Sequence, residues 1–321
     1  MFKAESGRFH MPIKVLVCDP IHQDGLVMLR NAGFEVEEKH NLTPDQLEKR
    51  ISEFDAVIVR GRTKITSAVL NAGVKLRAVA RSGVGLDNID LETARKKSVQ
   101  IISTPAAPTT SVAELAIGLM LAVLRKIAFA DRAMKEGRWA KGELMGSELK
   151  SKTVGVIGAA GRIGFEVARI AVQGFGAKVT GYDVIDVSEK ARQIGFRAVS
   201  HLSDLLEESD IVSIHVPYLP TTHHLIDDKA INGMKNGAVL INPSRGDIVD
   251  GQALLRALKS GKLAGAGLDV FHKEPPADEW EKELVSLPNV VCTSHIGAQT
   301  VECQRLESTM VAEELIRTFS K

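Results

Sequence analysis

The sequence predicts an α/β protein with two Rossmann-like parallel sheets, and three observations predict it. Short apolar runs alternate with helical patterns along almost all of the 321 residues, which is how strand–helix–strand units with a parallel sheet read. A proline-rich connector, TPAAP at 104–108, separates two such series. In the second series the turn VIGAAGRIG (156–164) follows one strand-like run and opens a helix-like one.

In order, IKVLVCDP (13–20) reads as a strand, 22–32 as a helix and FEVEE (34–38) as a strand. AVIVRG (56–61), LRAVARSG (76–83) and SVQIIS (98–103) complete the first series, the first two ending in glycine and polar residues. Ser111, with Glu114 three residues on, has the spelling of a capping box and predicts a long helix running to about Lys135. Alternation restarts at TVGVIG (153–158), followed by a helix from about Arg162 and the strand AKVTGYD (177–183). DIVSIHVP (210–217), GAVLINPS (237–244), GAGLDVF (265–271) and NVVCTSH (289–295) predict further strands, and a helix over about 299–318 ends the chain.

Composition narrows the function classes. Hydrophobic residues at 44% and charged ones at 25% are ordinary for a soluble globular chain. Forty-one basic residues against forty acidic leave a net charge of +1, which argues against broad nucleic-acid binding. The three cysteines, Cys18, Cys292 and Cys303, have no metal-ligand spacing and suit a reducing, cytoplasmic setting. The opening MFKAESGRFHM lacks the apolar core of a signal peptide and reads as a loose extension. LAIGLMLAVL (115–124) is ten residues long, where a membrane span needs about 20, so a buried helix is expected and no membrane partner.

The glycine turn departs from the phosphate-binding pattern G-x-G-x-x-G. Gly161 and Gly164 fill its second and third places, Ala159 stands in the first, and Gly158 lies one residue early. A turn without a ligand would also use glycine. The context favours a dinucleotide site: strand, loop, helix, then a second strand ending at Asp183, nineteen residues past Gly164. Amides and the helix dipole at 161–164 suit a pyrophosphate. Asp183 would accept ribose hydroxyls and repel a 2′-phosphate, which selects NAD over NADP, so Ala159 reads as a tolerated substitution.

Three polar residues fall at or just past predicted strand ends: Arg245 in INPSRGDIVDG, Glu274 in GLDVFHKEPP and His295 in CTSHIGAQT. Singly, each could be a solvated surface residue or a structurally satisfied one. Together, in this order, they resemble the D-isomer-specific 2-hydroxyacid dehydrogenase family, and the resemblance runs from about residue 13 to the end. It implies two domains with a cleft between them. The substrate domain would be discontinuous, 1–107 with 294–321, and the NAD-binding Rossmann domain would be 108–293.

The resemblance also implies roles. Arg245 matches the arginine that grips and polarises the substrate, His295 the general acid/base and Glu274 its partner. Histidine suits the task because hydride leaves C2 only if a base near neutrality takes the hydroxyl proton. Arg162 and Ile163 lie on the pyrophosphate loop, Pro217 and Thr222 on the cofactor wall, and Ser244 beside Arg245 is a further cofactor candidate. Asp269 matches the residue that holds the nicotinamide carboxamide. In ARSGVGLDNID, the segment Ser82, Gly83, Val84, Gly85 would offer amides to the substrate carboxylate, although a plain loop-to-helix turn reads the same.

Within the family, AAGRIG resembles formate dehydrogenases, but these pair the histidine with glutamine where this chain has Glu274. GRWAKGELMGSEL (137–149) and DPIHQDGL resemble the short form of D-3-phosphoglycerate dehydrogenases, which implies oxidation of D-3-phosphoglycerate to 3-phosphohydroxypyruvate, a serine-biosynthesis step. Arg60 and Arg62 would meet the phosphate. Lys141 stands where those enzymes carry an arginine reaching from the partner subunit, so a homodimer or higher oligomer through the helix after Ser111 is implied. Rivals are a glyoxylate or hydroxypyruvate reductase on the same scaffold and a cofactor-sensing protein like the corepressors that share it. A metal site has little support, His223 and His224 being adjacent without other ligands, and Ser244 lacks the glycine context of a hydrolase nucleophile.

Overall fold

The structure, a computed structural model, describes residues 12–320. The opening segment expected to be a loose extension lies outside the described residues. The described chain divides into two compact units, 12–108 with 300–320 and 109–299. Residues 294–299, expected with the substrate domain, therefore group with the second unit. The cause is local: the amides of Ile296 and Gly297 donate to Asp269 at 2.8 and 2.9 Å, which ties the stretch after His295 to the second sheet.

The first unit has five parallel strands: β1 (Lys14–Val17), β2 (Glu35–Glu38), β3 (Ala56–Val59), β4 (Ala78–Arg81) and β5 (Gln100–Ser103). Their order is β2-β1-β3-β4-β5, so the direction of winding reverses between β1 and β3. Every residue of β3 is buried because both sheet faces are covered. Val57 and Val59 pack on one side with Leu47, Ile51 and Leu70, and Ala56 and Ile58 on the other with Leu26 and Leu29. The last helix, Val301–Phe319, belongs to that second face through Val311, Ala312 and Leu315. Burying each such branched side chain contributes about 1.5–3 kcal/mol.

The second unit has seven parallel strands: β6 (Thr153–Ile157), β7 (Lys178–Tyr182), β8 (Arg197–Ala198), β9 (Ile211–Ile214), β10 (Ala238–Asn242), β11 (Leu263–Leu268) and β12 (Val290–Cys292). The order β12-β11-β10-β9-β6-β7-β8 contains the 3-2-1-4-5-6 arrangement of dinucleotide-binding sheets, read from β8 to β11, with β12 added. Winding reverses between β6 and β9, where such sheets receive ligands at their carboxyl ends.

Two local expectations shift. The long helix begins at Thr109, so Ser111 lies inside its first turn rather than ahead of it. It also ends at Leu124, and a second helix, Ile127–Lys135, follows Lys126, whose φ of 54° reverses the backbone. Two-residue β8 carried no signal of its own. Among the described residues no helix is long and apolar enough to cross a membrane, and no group of three or more His, Cys, Asp or Glu is placed to hold a metal ion.

Candidate active site

The glycine loop leaves β6 at the switch point and enters the helix Arg162–Arg169 with Gly161 as N-cap. The residue that needs glycine for its conformation is Gly158, at φ 88°. Ala159 keeps an ordinary backbone and buries its methyl completely against the strand residue Gly181. The tight turn is thus made one position early, which is why alanine is tolerated. A Cβ on Gly164 would come within 2.2 Å of the Gly158 carbonyl, so helix and turn pack closely only because position 164 is glycine.

No side chain caps the helix that follows, and its first amides therefore keep their capacity for an anion. The carboxylate of Asp183, at the end of β7, accepts from the amides of Ala160 at 3.0 Å and Val184 at 2.7 Å. Turn, uncapped helix and acid thus form one edge, and these residues fit a dinucleotide. Thr222 closes the nearby HVPYLPTT loop by donating to the Pro217 carbonyl at 2.7 Å. Ser244 Oγ donates to the Ile214 carbonyl at 2.8 Å and joins the ends of β9 and β10.

The loops after β10, β11 and β12 bring the three polar residues toward one another. Arg245 follows β10, and its Nη1 donates to the Ser244 carbonyl at 2.7 Å. Next to it, a Cβ on Gly246 would lie 2.1 Å from the Phe271 carbonyl carbon, so the absent side chain lets this loop pack on the segment leading to Glu274. Glu274 Oε1 accepts from the Phe271 amide at 3.3 Å, and Oε2 meets Nδ1 of His295 at 2.6 Å. Burial pushes the Glu274 carboxyl up, but the His295 hydrogen bond and charge, the Phe271 amide and the Arg245 charge outweigh it and hold the carboxyl below its ordinary range.

His295 sits at φ 54°, a left-handed conformation that a non-glycine residue enters at a cost. The surrounding bonds hold it there. Its amide donates to the Asp269 carbonyl at 2.8 Å. The wholly buried Asp269 carboxylate accepts from Thr293 Oγ1 at 2.6 Å as well as from the Ile296 and Gly297 amides. In this structure Asp269 therefore organises the loop that carries His295, a task its sequence context did not reveal. A cavity of about 620 Å³ opens beside the pair, lined by Phe271, Glu274, Pro275, Cys292, His295 and Ile296.

The remaining candidates are carried by other segments of the chain. Ser82, Gly83, Val84 and Gly85 follow β4 in the first unit. The Gly83 amide is taken by Thr104 Oγ1 at 2.8 Å. Arg62 is engaged by the buried Asp19 through Nε at 3.3 Å and Nη2 at 3.2 Å, and its Nη1 also bonds Asn41. Asp19 further accepts from the Arg60 amide at 2.7 Å. Lys141 is exposed in a short turn of the second unit. Sequence reading missed the turn-forming task of Gly158, the buried Asp19 and the structural task of Asp269. A glycine ending the strand-like run was the one visible signal, because which acids are buried depends on packing.

Residues 117–297 match the D-isomer specific 2-hydroxyacid dehydrogenase, NAD binding domain. The chain is 42% identical over 303 residues to D-3-phosphoglycerate dehydrogenase of Methanocaldococcus jannaschii, covering 94% of this chain and 57% of that protein's length. It is 43% identical over 305 residues to hydroxypyruvate reductase of Thermotoga maritima, covering 95% and 97%. It thus spans little more than half of the first relative and nearly all of the second. Among solved structures, D-lactate dehydrogenase from Aquifex aeolicus, complexed with NAD and lactic acid, superposes with a TM-score of 0.82 at 30% identity, covering 96% of this chain and 94% of that one. Glyoxylate reductase from Paecilomyes thermophila superposes at 0.87 with 28% identity, covering 97% of each. With its two parallel sheets, glycine loop and paired Glu274 and His295, the chain belongs to the D-isomer-specific 2-hydroxyacid dehydrogenase family, whose cofactor is NAD.

Proposed function

We propose that the protein interconverts a short D-2-hydroxy acid and its 2-oxo acid, with His295 moving the proton. The 2.6 Å contact between His295 Nδ1 and Glu274 carries this reading. A carboxylate on Nδ1 keeps that nitrogen protonated and leaves Nε2 to take the proton from a substrate hydroxyl. Glu274 then stabilises the imidazolium, and Arg245 polarises the carbonyl and grips the carboxylate. The amides of Val84 and Gly85 remain for the carboxylate, that of Gly83 being engaged. NAD, when bound, supplies the hydride acceptor; the amides at Arg162, Ile163 and Gly164, the carboxylate of Asp183 and the wall at Pro217, Thr222 and Ser244 are the residues that would hold it.

Two substrate classes fit. D-3-phosphoglycerate is supported by the likeness to phosphoglycerate dehydrogenases and by Arg60, Arg62 and Lys141 as cations for its phosphate. Hydroxypyruvate or glyoxylate is supported by the full-length likeness to a hydroxypyruvate reductase and by the engagement of Arg62 with buried Asp19. We adopt the second, because a guanidinium already facing a carboxylate offers a phosphate little. NADH oxidation across a panel of 2-oxo acids, phosphorylated and not, tests both: turnover of none would overturn the enzyme reading. A homodimer built on the Thr109–Leu124 helix is part of the proposal. The exposed Ile127, Met134, Trp139 and Met145 nearby support it, and light scattering at defined concentration tests it.

A further inference from the structure

Glu307 is 1% exposed on the last helix. At four-residue spacing around it, Cys303, Val311 and Leu315 are all core residues, so the carboxylate occupies an apolar stripe. Such a group is costly to bury unless partnered. Its partners come from the carboxyl ends of the first sheet: Arg60 Nη2 after β3 lies 3.8 Å from Oε2, and Ser82 Oγ after β4 donates to the same oxygen at 3.5 Å. Arg81, at the end of β4, adds a second positive charge, and the Cys303 thiol a hydrogen bond. This edge adjoins the β1/β3 reversal, where an open parallel sheet takes its ligand. Asp19, across the reversal, answers Arg62.

We propose that Glu307 is a specificity-determining residue: its buried carboxylate answers the charge of Arg60, so this edge accepts the uncharged tail of a 2-oxo acid such as hydroxypyruvate and rejects a phosphorylated tail. The proposal rests on the dehydrogenase reading above. A phosphate brings about −1.5 to −2 charges at neutral pH. Placed against Arg60, it stands close to a carboxylate that water cannot screen, and like charges so juxtaposed are strongly disfavoured. A hydroxyl needs only a hydrogen-bonding partner and meets no such repulsion. Were Glu307 merely a structural anchor, replacing it would change stability and leave selectivity alone.

The test compares kcat/KM for NADH-dependent reduction of hydroxypyruvate and phosphohydroxypyruvate. The wild type should prefer hydroxypyruvate. Glu307→Gln, which keeps the shape and removes the charge, should raise the phosphorylated-to-unphosphorylated ratio about tenfold or more, chiefly through KM for the phosphorylated acid. An unchanged ratio in a folded variant overturns the proposal, as does a wild type that already favours the phosphorylated acid. Glu307→Met provides a second folded variant should glutamine not be accommodated. If the wild type reduces no 2-oxo acid, the dehydrogenase reading fails separately, and thermal stabilisation by 3-phosphoglycerate then decides: stabilisation of the variant alone supports the role of Glu307, and equal stabilisation of both proteins overturns it.

Discussion

At the scale of single residues, Asp183 and the pair His295–Glu274 carry the sharpest predictions. The Asp183 carboxylate stands beside the Ala160 amide of the glycine turn, where it would accept ribose hydroxyls and repel a 2′-phosphate. Catalytic efficiency should therefore be much higher with NAD(H) than with NADP(H), and Asp183→Ser should narrow the gap; steady-state kinetics with both cofactors checks this. His295→Ala should lower kcat by about 10²–10⁴, the usual contribution of general acid–base catalysis, with little change in NAD affinity by titration. The His295 hydrogen bond and charge help hold the Glu274 carboxyl below its ordinary range. Glu274→Gln removes the carboxylate that meets His295 Nδ1 at 2.6 Å and should lower kcat for hydroxy-acid oxidation; an unchanged kcat removes Glu274 from the reaction. Glu307 works in the opposite sense. Burial, opposed by Arg60 and Arg81, raises its carboxyl above the ordinary value of 4.5. A carboxyl raised on folding loses stability as pH climbs from the unfolded value through the folded one. Ionised Glu307 is thus a burden on folding, and Glu307→Gln should melt no lower than wild type on that account.

At the scale of elements, the glycine turn and its helix form a unit that one methyl can disturb. Gly164→Ala puts a Cβ 2.2 Å from the Gly158 carbonyl. Overpacking of this kind costs about 1–3 kcal/mol, and here it should also move the amides that would hold a pyrophosphate. Denaturant melts and NAD titration should show both losses. Asp250→Ala is the contrast. Asp250 caps the helix Gly251–Ser260 by accepting from the Gln252 and Ala253 amides, each at 3.0 Å. Its loss should cost about 0.5–2 kcal/mol and leave NAD affinity unchanged. Strands were the most legible elements, because a buried parallel strand is an unbroken apolar run whatever its neighbours. The break at Lys126 was not, since apolar residues continue on both sides of it and a left-handed residue carries no hydrophobic signature.

At the scale of the whole molecule, a ligand that binds only the folded chain stabilises it by mass action. NAD at about 100 times its Kd should add about 2.7 kcal/mol, and the rise in melting temperature should continue logarithmically with concentration. NADP at the same concentration should add far less. Absence of any rise with NAD would contradict the fit of the glycine loop to that cofactor.

The sequence by itself determined the two parallel α/β units and the place of the glycine turn, and it singled out Arg245, Glu274 and His295 as candidates. The first two rest on local pattern, alternating apolar runs and a glycine spacing; the three polar residues were singled out by their joint resemblance to a family. Tertiary structure alone decided the partners. Position 159 holds alanine because Gly158 makes the turn and Gly181 leaves room for the methyl. Asp269 serves the loop of His295, 26 residues onward, and Arg60 faces Glu307, a residue 247 positions away. Carboxylates of like appearance in sequence thus became a loop anchor, a partner of His295 and a buried counter-charge. Their chemistry follows from burial and neighbours, which only the packed chain specifies.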